Sequence, residues 1–207
     1  MANPEVSNVL KTGAVLWFAP VGETVPDETT VAYGDDWPGN WRRVGYTKVP
    51  LRMMYEDEQV DIETEEELSP VNRFRTSETL ALETELAELT AEYLALAGGD
   101  QDTVVETSAA VGQKAYEEVG FGGSAIIAQY AWGFEGFRVD DAGDQQPVRM
   151  VVRKGTAKLN GELEFSQKSD GYPGIPLRIN ALADTTQFAG QKLALFQRVT
   201  APAVAGP

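Results

Sequence analysis

The sequence predicts an all-β fold with one flanking α-helix, and three observations carry that expectation. Period-two alternation recurs along the chain. Val60, Ile62 and Thr64 alternate with Gln59, Asp61 and Glu63; Ala157, Leu159, Gly161, Leu163 and Phe165 alternate with Lys158, Asn160, Glu162 and Glu164; and Ile175, Leu177, Ile179 and Ala181 alternate with Arg178 and Asn180. That is the pattern of strands with one buried face. One stretch reads differently. Leu86, Leu89, Tyr93 and Leu96 fall on one helical face opposite Glu85, Glu88 and Glu92, and Gly98-Gly99 closes it. Between the apolar runs lie clusters of Gly, Pro, Asn and Asp, the residues of turns.

In order, residues 1–11 form a polar N-terminal arm ahead of a single domain over 12–199. Ala14 to Ala19 (AVLWFA) is a buried strand, and Pro20-Val21-Gly22 ends it. Residues 23–36 read as a loop. Trp37-Pro-Gly-Asn-Trp41 is a turn whose tryptophans either cap a core edge or stack on a ligand. A short second strand follows over 42–47. Residues 47–58 show no clean period and contain Pro50. There Met53, Met54 and Tyr55 either form an exposed contact patch or pack on the sheet. The acidic strand comes next, with the hydrophobic set expected toward the core. Residues 77–86 read as a strand and 87–97 as the helix. Further strands are expected at 104–110, 124–132, 137–140, 148–153 and 193–196, with a hairpin loop at 141–144. Residues 200–207 (TAPAVAGP) form a C-terminal arm.

Composition narrows function. The 207 residues include no Cys and no His. Disulfides, thiolate metal sites, Ser-His-Asp and Cys-His catalysis and His-ligated zinc are thereby excluded. The net charge is −15, and it is unevenly placed: residues 1–106 hold 22 acids and 7 bases, residues 107–207 ten of each. A nucleic-acid grip needs basic patches, so this distribution argues against one. No signal-like leader and no membrane-length apolar run stands in the sequence, which points to synthesis in a cytoplasm. Eight acids and no base lie between Glu56 and Glu67. A face of like charges destabilises a sheet, so it needs a reason: repelling nucleic acid, docking a basic partner, or solubility alone, the commonest reason in acidic proteins.

Enzyme and metal readings are weak. Asp61 and Glu63 could mimic a glycosidase pair on one strand face. Asp100 with Asp102, or Asp140 with Asp141 and Asp144, could suggest calcium, but neither has EF-hand spacing, and turn formation accounts for them. No catalytic, cofactor-binding or metal-binding residue is therefore assigned.

The order of signals resembles a family. An opening strand leads to APVGETVPDETT, then WRRVGYT, then an acidic strand into EEELSPVNRFRTSETLALETELAELTAEYLALAGG. A late hairpin half follows as KLNGELEFSQKSDGYPGIPLRINALAD. Over residues 13–185 this resembles the major tail tube proteins of long-tailed phages with non-contractile tails. It departs from them at Thr47-Lys48-Val49-Pro50, where relatives commonly carry an acidic or glycine turn. The resemblance implies a β-sandwich flanked by one helix, whose inner sheet joins those of other copies in a β-barrel. It implies a virion protein, a homo-oligomer of hexameric rings stacked into a tube. Its partners would be tape measure, tail terminator and distal tail proteins. DNA would cross an acidic lumen during ejection without specific binding. On that basis Asp61, Glu63 and Glu65 are expected to face the lumen, with Val60, Ile62 and Thr64 toward the core. Met53, Met54 and Tyr55 are candidate inter-ring contacts. The arms and residues 47–58 are expected to order against neighbouring copies. A secretion-type injection tube and a decoration or adhesin sandwich are the alternatives.

Overall fold

The computed structural model describes residues 15–28, 30–99, 104–140, 142–163 and 173–200. The arm expected at 1–11, all but Thr200 of the arm expected at 200–207, the strand end at Phe165, and Asp100, Asp102 and Asp141 lie outside them.

The fold is mostly β with one short helix. β1 (Val15–Pro20) is buried on both sides, which explains its unbroken apolar run. Leu16 and Phe18 enter one hydrophobic cluster, with Val44, Leu82, Leu86, Leu96, Trp132, Leu177 and Ile179. Trp17 and Ala19 enter a second, with Trp37, Trp41, Ala131 and Val151. Two layers thus pack on opposite faces of one central sheet region, in the manner of a sandwich.

The remaining strands are β2 (Arg42–Arg43), β3 (Thr47–Ile62), β4 (Asn72–Leu86), β5 (Val104–Thr107), β6 (Tyr116–Val119), β7 (Gln129–Val139), β8 (Gln145–Leu159), β9 (Ile175–Ala181) and β10 (Leu195–Arg198); α1 spans Ala91–Gly98. The main sheet runs β2-β1-β7-β8-β9-β4-β3, all neighbours antiparallel, while β5 and β6 form a separate pair. β8 is long enough to hold β10 along Val148–Val151 and β9 along Gly155–Leu159. The turn expected at 141–144 joins β7 to β8, with Val139 opposite Gln145.

Several boundaries move. The strand expected at 148–153 and the start of the one expected at 157–165 merge into β8, which ends at Leu159; residues 160–163 are not strand. Within β8, Gly155 sits where a side chain would crowd its neighbours. A Cβ there would meet the Asn180 carbonyl at 3.1 Å and the Trp132 ring at 3.3 Å. The helix starts at Ala91 rather than 87. Thr90 caps it, its hydroxyl accepting from the Tyr93 N–H at 3.2 Å, and Gly99 in the left-handed region ends it. Leu86 therefore belongs to β4, fully buried, and Leu89 to the exposed connection. Residues 47–58, expected to be irregular, form most of β3.

Burial of charge fixes the long β1–β2 connection. Glu135 on β7 and Arg149 on β8 are directly opposite and both fully buried. Arg149 Nη2 donates to Glu135 Oε1 at 2.8 Å and to the carbonyls of Val31 and Ala32 at 2.8 and 3.2 Å. Arg149 Nη1 reaches Glu28 Oε2 at 3.3 Å. Glu135 accepts from the Gly34 N–H at 3.2 Å and from Trp37 Nε1 at 3.4 Å. Trp37 stacks on Trp17 at 5.3 Å and meets Trp41 edge-on at 4.9 Å. The Trp37/Trp41 turn is thus a core cap, as the first of its two readings held. Gly133 lies beneath the Trp37 ring, where any Cβ would collide with it.

Candidate assembly surface: the projecting β3–β4 hairpin

β3 is the outermost strand of the main sheet, and β4 joins it to the body. β4 holds β9 only from Ala81 to Leu86, whereas it holds β3 all the way from Leu86 to Asn72. Beyond Tyr55 and Leu80 the hairpin therefore leaves the sheet as a two-stranded ribbon. Its far part, residues 58–79, is exposed throughout.

This geometry corrects the face assignment made from sequence. Val60 and Ile62 keep 55 % and 38 % of their surface exposed, and Thr64 lies past the strand end, so none of the three enters the core. Alternation is present, but the ribbon has no body beneath it. Glu63 and Glu65 also lie past Ile62, in the tip that joins β3 to β4, and so do not continue the Asp61 face as a strand would.

Cross-strand register sorts the ribbon into two faces. One carries Tyr55, Asp57, Gln59 and Asp61 from β3 with Glu78, Arg75 and Arg73 from β4. It is a ladder of ion pairs. Arg73 binds Asp61 through both carboxylate oxygens, with Nη2 to Oδ2 at 3.0 Å. Arg75 Nε donates to Asp57 Oδ2 at 3.0 Å, and its Nη1 to Glu78 Oε2 at 3.2 Å. Gln59 donates to Asp57, and the Tyr55 hydroxyl to Glu78 at 2.9 Å. Arg75 also lies over the Tyr55 ring. The bond from Arg73 holds Asp61 below the usual carboxylate range; Gln59 and then Arg75 do the same for Asp57. The Glu78 bond raises the Tyr55 hydroxyl. The other face carries Val60, Ile62 and Phe74, Val60 directly opposite Phe74, beside Glu56 and Glu58.

The acid of this stretch is thus divided. Asp57 and Asp61 are answered by arginines of β4. Glu63, Glu65, Glu66 and Glu67 stand exposed at the tip with no ion pair among the described residues. Met53, Met54 and Tyr55 do not form one patch either. Met53 and Tyr55 lie opposite Leu82 and Leu80 on one side, and Met54 lies opposite Ala81 on the other. Met53 and Tyr55 are nevertheless 56 % and 44 % exposed.

Irregularities near the base explain why sequence patterning missed the first part of β3, residues 47–58. Register shifts fall between Thr47 and Val49, between Val49 and Arg52, and between Glu58 and Gln59. The first two place an extra residue on β3 and reset its inside–outside order; the third places Thr76 as the extra residue on β4. Pro50 sits within the second, a place where an edge strand tolerates a missing N–H. Among the described residues no group of three or more acids is placed to hold a metal ion. Asp140, weighed as a calcium ligand, accepts instead from the N–H groups of Ala142 and Asp144 and from Gln146, the contacts of a turn.

Residues 2–196 match the family described as phage tail tube protein. The chain belongs to that family. No curated protein matches it. Membership places the tail tube protein in the virion tail as a structural component, in agreement with the resemblance read from its strand order. It also implies self-assembly into a tube with other tail proteins. No described helix is long and apolar enough to cross a membrane.

Proposed function

We propose that this chain is the major tail tube subunit of a long-tailed phage, that it polymerises into hexameric rings stacked as a tube, and that the tube conducts genome DNA during ejection. Family membership supports the tube. The single observation that supports polymerisation through β3 is its free edge: a strand of 16 residues with no outer partner among the described strands. Such an edge is a template for pairing with another chain. A closed ring of copies satisfies it without leaving an end. Tape measure, terminator and distal tail proteins would meet the tube along its lumen and at its ends.

In this proposal the conduit wall is drawn from the ion-pair face of the ribbon. Asp61 would reach the lumen with Arg73 beside it, and Asp57 with Arg75. Asp57, Asp61 and Glu78 outnumber Arg73 and Arg75 on that face, so such a wall stays acidic, and DNA would pass under weak screened repulsion with no grip on its phosphates. Sedimentation of the purified protein across a concentration series, with negative-stain microscopy of the same samples, tests polymerisation. Rings or tubes are expected. A strict monomer at high concentration, under conditions that support tail assembly, would sink the proposal.

A further inference from the structure

The outward face of the main sheet carries a charge pattern opposite to that of the chain. Three register pairs place four side chains in one row across four strands: Arg52 opposite Glu83, Glu83 opposite Arg178, and Arg178 opposite Lys158. The neighbouring positions Leu82, Leu177, Ile179 and Ala157 point into the core, so this row faces outward. Lys48 joins it, its Nζ 2.8 Å from Glu85. Four cations thus meet two carboxylates in a chain whose net charge is −15.

Partnering within the row is incomplete. Arg178 Nη1 donates to Glu83 at 2.9 Å, and Asn160 donates to the same oxygen at 3.0 Å. Lys158 and Arg52 are exposed and have no ion pair among the described residues. Lys158 lies directly opposite Arg178, and like charges so placed destabilise a sheet unless an anion intervenes.

The chain supplies a matching anion. Glu63, Glu65, Glu66 and Glu67 are exposed at the ribbon tip, and the sequence has no base between Arg52 and Arg73. The ribbon stiffens this tip at a distance: eight residues from Tyr55 to Ile62 extend about 26 Å at roughly 3.3 Å each. We infer that the glutamate tip of one copy docks on the Arg52–Arg178–Lys158 row of a second copy, and that this contact joins neighbouring subunits. The inference rests on the tail-tube reading and names the surface that receives the projecting hairpin. Complementary charges of this kind fix register and partner choice.

The absence of native cysteine permits a direct test. A Glu66→Cys chain is mixed with a Lys158→Cys chain, assembled and oxidised. A disulfide-linked heterodimer within tubes is expected, and none in unassembled protein. In parallel, Arg52→Glu/Lys158→Glu should raise the protein concentration needed for assembly at least tenfold. Glu65→Lys/Glu66→Lys should do the same, and the four changes in one chain should restore assembly. Tubes that form without the crosslink, or reversals that assemble like the parent, overturn the docking while leaving the tube intact. Parent protein that never assembles removes the tube reading itself. Binding of duplex DNA by the parent that Arg52→Glu/Lys158→Glu abolishes, with tubes still forming, overturns the docking and assigns the row to nucleic acid.

Discussion

Arg149 shows how much of this fold rests on single residues. It is fully buried, yet it joins Glu135 across the hairpin, Glu28 in the long connection, and two carbonyls of that connection. Removing one partner of a buried pair leaves charge without compensation, at about 3–5 kcal/mol. Arg149→Leu should lower the thermal midpoint by on the order of 10 °C for a chain of this length, as read by calorimetry. A change of one or two degrees would show that the pair is dispensable. Burial raises the Glu28 carboxyl above its ordinary range against the pull of Arg149. Its proton is therefore held more tightly in the folded state, so its contribution to stability falls as pH rises through that window. This network was not visible in the sequence. Helical or strand periodicity marks apolar residues, and Glu135 and Arg149 sit on β strands whose other members gave the signal. The one available clue was symmetry. The two residues are equally far from the turn at 140–144, and an antiparallel hairpin must bring them together.

At the scale of elements, what was legible was what lay over the core. β1 follows its unbroken apolar run, and β9 and the 77–86 part of β4 follow period two, because each has one or both faces buried; the β7–β8 turn follows its turn residues. The first part of β3, residues 47–58, did not, because it is an edge with two extra residues near its base. Its acidic end misled for a further reason. Val60 and Ile62 alternate with acids as they would on a half-buried strand, but the ribbon runs past the body, and both of its faces meet solvent. Sequence alternation reports that two faces differ, not that one is covered. The arginines that answer this acid lie 12 and 18 residues later, on the returning strand. The ladder has a testable consequence. Asp57 and Asp61 have lowered folded pKa values. Their contribution is complete above the ordinary aspartate range near 3.9 and is lost as pH falls through the folded values. Hydrogen exchange at decreasing pH, corrected for intrinsic rates, should show residues 57–62 and 72–78 opening before Ala81–Leu86. Simultaneous opening of both segments would mean that the ion pairs do not hold the ribbon.

For the whole molecule, charge and edge point the same way. A chain with this net charge is kept apart from its copies at long range, so assembly must rest on short-range complementarity. In the proposed assembly the open β3 edge, the apolar Val60–Ile62–Phe74 strip and the opposed tip and row would provide it. Each is unsatisfied in a single copy, and each lies on or beside the projecting hairpin. The central claim is that this hairpin is where copies join. Hydrogen exchange of residues 47–62, compared between dissociated subunits and assembled tubes, tests it most directly. In the dissociated state only the β3 amides facing β4 should be slow, and assembly should slow the outward ones as well. Identical exchange along β3 in subunits and tubes would contradict the account.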